Sequence, residues 1–163
     1  MHGAKVKIMS IHELISRLTD AIAFGVYMKK DELSNEMIIS MLDDMKVNFL
    51  REAGEDSGLR TEVLRMVAGH KFKLLSAREA AFDDVEKLYR EVLALGFPHL
   101  MEEGTVGIFY AQYCMRLERH QLARVVLEEM LCKAKDASLG PLRVRKELAA
   151  DAKRLLNELA TRA

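Results

Sequence analysis

The chain has 163 residues, half of them apolar, and 25 basic side chains against 25 acidic ones: enough for the core of one domain, with no net field to draw in a polyanion. Two cysteines without close spacing exclude a disulfide framework, a CxxC redox pair and a cysteine-rich zinc site, and no run of ~18 apolar residues is present to form a membrane-spanning helix. The expectation is a single all-helical domain over residues 1–163 in a reducing cytoplasm; Met1–Ser10 carries Lys5 and Lys7 but no apolar stretch of signal-peptide length.

Helix is the only strong periodicity. The first helix is expected from about Ser10 to Met28, with Ile11, Leu14, Ile15, Leu18, Ile22 and Val26 on one face at three- and four-residue steps. Ser34 is placed to cap a second helix, because its hydroxyl can accept a bond from an otherwise unpaired backbone amide. That helix offers Met37, Ile38, Met41, Leu42, Met45 and Phe49 to a core, and the methionines at four-residue steps read as a core stripe. Gly54 and Gly58 bracket the next loop. A third helix over about Leu59–Ala81 buries Val63, Leu64, Val67 and Leu74, with Gly69 as a point where it could bend or divide.

Asp83 and Glu86 form a candidate capping box for a fourth helix, whose Val85, Leu88, Tyr89, Val92 and Leu95 precede the stop at Gly96 and Pro98. After Gly104 and Thr105, a fifth helix shows Val106, Phe109, Tyr110, Tyr113, Cys114 and Leu117; a sixth, near Gln121–Ala137, shows Leu122, Ala123, Val126, Leu127, Met130 and Leu131. The connector Glu118–His120 holds no glycine or proline, yet a turn is favoured over one fused helix. Gly140 and Pro141 then separate a last helix with Leu148, Ala152, Leu155 and Leu159 on one face and a Glu158–Arg162 pair on the other. The connections are short, so neighbours must run antiparallel. The fold class is all-α: about seven amphipathic helices stacked as hairpins, in a solenoid-like array or a bundle.

Within residues 104–137, Ala111 and Ala123 stand twelve residues apart with Cys114 and Leu127 beside them. Two helices of a hairpin approach closely only where side chains are small, and this spacing resembles a tetratricopeptide repeat. The repeat's usual aromatic at its start falls on Gly107, its turn glycine is absent and its terminal proline falls on Lys135. One repeat length earlier Ala77 and Ala80 are in register, but Tyr89 stands where the second alanine belongs. The resemblance implies a groove lined by the first helix of the hairpin, presenting Ile108, Gln112, Met115 and Arg116, with Arg116 able to hold a partner carboxylate through two parallel bonds.

Chemistry is sparse. The histidines at 2, 12, 70, 99 and 120 form no HExxH or cysteine–histidine pattern, and His99 with Glu103 makes too few ligands for a metal. Adjacent acids such as Asp43–Asp44, Asp83–Asp84 and Glu128–Glu129 point about a hundred degrees apart on a helix and cannot share a proton. No glycine-rich loop follows a strand, so no phosphate cradle is expected. Basic groups at Arg116–Arg124, Arg143–Arg154 and Lys71–Arg78 lack a helix-turn-helix signature or stacking aromatics, which disfavours nucleic acid. Both cysteines are expected to be buried thiols. The expectation is a non-enzymatic scaffold without metal or cofactor that binds a protein or peptide partner, or a second copy of itself. The alternatives are a helical nucleic-acid-associated regulator and an enzyme whose site assembles from dispersed residues.

Overall fold

The computed structural model describes residues 10–162; His2 and the stretch Met1–Met9, with Lys5 and Lys7, lie outside them. The described residues form seven α-helices and no strand, each helix packed against neighbours. They are α1 Ile11–Gly25, α2 Asn35–Ala53, α3 Ser57–Ala77, α4 Phe82–Leu95, α5 Leu100–Arg116, α6 His120–Ala134 and α7 Leu142–Arg162, with a 3₁₀ segment, Tyr27–Glu32, after α1. The chain divides into two compact units, Met1–Lys71 and Phe72–Ala163, and the division falls inside α3.

In the first unit the helix starts follow their caps. The Ser10 hydroxyl accepts from the Glu13 N–H, the Ser34 hydroxyl from the Met37 N–H (3.1 Å each), and an Asp56 carboxylate oxygen from the Leu59 N–H. Gly58 is therefore helical rather than part of the loop. α1 packs on α2 and buries Leu14, Leu18 and Ile22, while α2 buries Ile38, Leu42, Phe49 and Ala53. The methionine stripe is not the core face: Met37 is 53% exposed and Met41 and Met45 are half-buried, because the branched Ile38 and Leu42, one position on, turn inward instead. Met45 covers Gly25, where an added Cβ would lie 2.9 Å from its methyl carbon. Arg17 holds Glu52 through two bonds of 2.7 and 3.0 Å, the buried Lys71 ammonium pairs with Asp43, and the Tyr27 hydroxyl bonds His70 Nδ1 at 2.8 Å.

α3 neither divides nor stops at Gly69. A Cβ built there meets nothing within 4 Å, so Gly69→Ala gains helix propensity without a clash. The expected result is a gain of about 0.5–1 kcal/mol in a urea unfolding titration.

In the second unit α5, α6 and α7 each pack on the other two. α5 begins at Leu100, earlier than its sequence suggests, and Gly104 lies inside the helix rather than before it. The glycine is a contact, not a breaker: a Cβ on it would lie 3.0 Å from Leu148 of α7, and one on Gly107 only 2.5 Å from the Met130 sulfur of α6. α5 and α6 are separate helices, as expected, and the turn is made by Glu118 at φ 59°, with the Arg119 N–H donating to the Cys114 carbonyl at 2.8 Å. The α3–α4 turn repeats the device, with Glu79 at φ 57° and the Ala80 N–H donating to Leu75 at 3.1 Å. Both are Schellman turns with glutamate in the left-handed position that glycine usually takes.

Three local expectations are corrected. Asp83 is not a cap: α4 starts at Phe82 after Ala81, and Asp83 and Asp84 lie in its first turn, where they complement the helix dipole, while Glu86 pairs with Arg90 at 2.9 Å. Cys132 is exposed, on the outer side of α6, and only Cys114 is buried. On α7 the stripe Leu148, Ala152, Leu155 and Leu159 is buried as expected, but Glu158 pairs with Arg154 (3.3 Å), one turn back, instead of with Arg162.

Candidate partner-binding groove

The four residues that the repeat resemblance singles out are not presented together. Ile108 and Met115 are buried, Gln112 is half-buried and Arg116 is exposed. Arg116 is already engaged: its Nη2 donates to the Ser76 carbonyl at the end of α3 (2.8 Å), and its Nε lies 3.8 Å from Glu79. Its neighbours act on the same turn. The Tyr113 hydroxyl donates to the Ala80 carbonyl at 2.5 Å, and the Arg119 guanidinium sits 3.7 Å over the Phe82 ring, which stacks on Tyr113. The end of α5 thus fastens the α3–α4 turn: the Ser76 carbonyl, which also accepts from the Glu79 N–H at 3.3 Å, gains a second donor in Arg116, and the Ala80 carbonyl just beyond α3 is held by Tyr113.

The other face of α5 forms a groove with α7. α5 contributes Leu100, Met101, Gly104, Thr105, Ile108 and Phe109, and α7 contributes Val144, Glu147, Leu148 and Asp151. These positions recur at three- and four-residue steps, so each helix gives one continuous edge. Gly104 lets Leu148 form the floor, while Met101 (57% exposed) and Phe109 (38%) stand at the lips. The Thr105 hydroxyl is satisfied by the Met101 carbonyl at 2.8 Å. The volume is about 180 Å³, below the ~300–1,000 Å³ of pockets that enclose a small molecule. Of the four sequence-selected residues, only Ile108 lines it. The signal for the rest was present as Met101 and Phe109 on one edge, but it became legible only once the helix was known to begin at Leu100.

Titratable groups elsewhere in this unit are shifted by burial. Tyr89 and Tyr110 stack with ring centroids 3.8 Å apart. Burial pushes Tyr89 up to about 12, raises Tyr110 further, and pushes the Cys114 thiol up to about 11 against a smaller lowering from its bond to Tyr110. Each group is neutral in the folded state well above the pH at which the unfolded chain ionises, so the stabilisation is complete below the ordinary thiol value of 9.0 and is lost as pH rises towards 11–12. Urea midpoints are expected to hold up to about pH 9 and to fall steeply above it, with tyrosinate absorbance appearing together with unfolding rather than before it.

Burial also lowers Lys73, partly offset by Glu102, whose Oε2 is buried without a hydrogen-bond partner, while neighbouring Glu103 pairs with Lys133. His99 precedes α5 without capping it. Among the described residues no three histidine, cysteine or acidic side chains converge as metal ligands, and no helix is long and apolar enough to cross a membrane. No protein-family model matches the chain, and no curated protein or solved structure is significantly similar to it.

Proposed function

We propose that this protein is a non-enzymatic helical scaffold that binds a protein partner through the α5–α7 groove. The observation that carries this reading is an apolar trough with Met101 and Phe109 exposed at its lips, in a helix whose remaining faces are occupied by α6, α7 and the α3–α4 turn. Shallow depth and exposed rather than buried carboxylates suit side chains of a docked segment better than the chemistry of an enclosed substrate. The α5–α6 hairpin is read as tetratricopeptide-like, which the complete burial of Ala111 and Ala123 supports. Its binding face is placed on the α7 side, away from Arg116. The test is affinity capture from the native cell with the parent chain and with Phe109→Glu. Proteins retained by the parent are expected to be lost by the variant at unchanged helicity; equal retention by both would remove the groove from the function.

A further inference from the structure

We infer that the occupant of the α5–α7 groove is a basic amphipathic segment of a partner protein: bulky apolar side chains for the trough, with lysine or arginine for its α7 edge. The inference rests on the scaffold reading and adds the partner's chemistry. Both charged side chains lining the groove are carboxylates, Glu147 and Asp151, and no basic side chain lines it. They lie one turn apart on the same edge of α7, a like-charge spacing that costs a few tenths of a kcal/mol on a bare helix and that a cation placed between them relieves.

Their present partners are weak competitors. Glu147 meets Arg143 at 3.3 Å and Asp151 meets Arg154 at 3.8 Å, with all four side chains more than half exposed. Such surface pairs contribute ~0–1 kcal/mol, so an incoming cation that also brings apolar contact can displace them. The apolar side is set by Met101, Ile108 and Phe109 over the Leu148 floor. From Leu100 to Phe109 the edge runs about 14 Å, which matches roughly two and a half turns of a docked helix with anchors at three- and four-residue steps. An acidic segment would meet two carboxylates in the lining, with Arg143 and Arg154 outside it and already paired to them.

The experiment is selection of a random-sequence peptide library displayed on phage against the full chain, with Phe109→Glu as the counter-selection. The expected consensus pairs two or more Leu, Ile, Phe or Met at helical spacing with at least one Lys or Arg. The synthetic consensus peptide is then expected to bind about tenfold more weakly to Glu147→Gln with Asp151→Asn and to weaken as salt rises. Both carboxylates are exposed, so the double variant folds as the parent does, which circular dichroism checks. A neutral or acidic consensus, no enrichment at all, or equal affinity for the double variant overturns the inference. Loss of cellular partners on Phe109→Glu would still stand in each of those cases, so the two readings fail separately.

Discussion

Leu155→Ala is expected to lower the unfolding free energy by about 2–5 kcal/mol, read as a shift of the urea midpoint at unchanged slope. Leu155 is 2% exposed and sits in the middle of the α7 stripe, between Ala152 and Leu159, on the face that packs against α5 and α6. The truncation removes burial and leaves a cavity that two helix surfaces must close, and the alanine at 152 offers no side chain to fill it. Leu142→Ala, at the exposed start of the same helix, removes the same atoms from solvent contact and is expected to change stability by less than about 0.5 kcal/mol. A loss at Leu155 as small as that at Leu142 would mean that α7 is not held by its stripe.

The sequence was most readable where one helix needs only one partner face. α7 shows this best: its four core positions are spaced without ambiguity, its exposed face is charged, and all four are buried. The serine cap at 34 is local chemistry and was legible for that reason, while Ser10, read only as the start of the first helix, caps α1 in the same way. Legibility failed where a position's role depends on a distant surface. Phe109 and Leu117 are in core phase with Tyr110 and Cys114, yet stand partly exposed because the half of α5 facing α6 and α7 is already filled by glycine, alanine and tyrosine. Met37 and Met41 are as apolar as Ile38 and Leu42, and periodicity alone cannot rank adjacent faces of one helix.

The candidate groove was the least legible feature. Its floor depends on Gly104 lying inside a helix, whereas a glycine followed by threonine reads locally as a break. Turns were obscured in the opposite sense: Glu79 and Glu118 adopt the left-handed conformation with a side chain that gives no sign of it. Arg116 was visible as a cation, but its acceptor is a backbone carbonyl of α3 forty positions earlier, which no spacing rule reveals.

Gly107 provides the sharpest test of how closely α5 and α6 approach. Glycine inside a helix costs roughly 1 kcal/mol relative to alanine, so on propensity alone Gly107→Ala should stabilise the protein as Gly69→Ala does. Space reverses the sign. A Cβ at 107 would lie 2.5 Å from the Met130 sulfur and 2.9 Å from its Cγ, and Met130 is itself buried. Moving the methyl end of that side chain does not clear the contact, because Cγ is close to the α6 backbone; overpacking of this kind costs ~1–3 kcal/mol and outweighs the propensity gain. Met130→Ala alone is expected to cost about 2–5 kcal/mol, since it empties the space over the glycine. In the double variant the new methyl enters that space, so its loss should be smaller than the sum of the single losses by about 0.5–3 kcal/mol. Four unfolding titrations complete the cycle. Strict additivity would show that the glycine and the methionine do not touch, and the close α5–α6 approach, together with the placement of the groove on the opposite side of α5, would lose its basis.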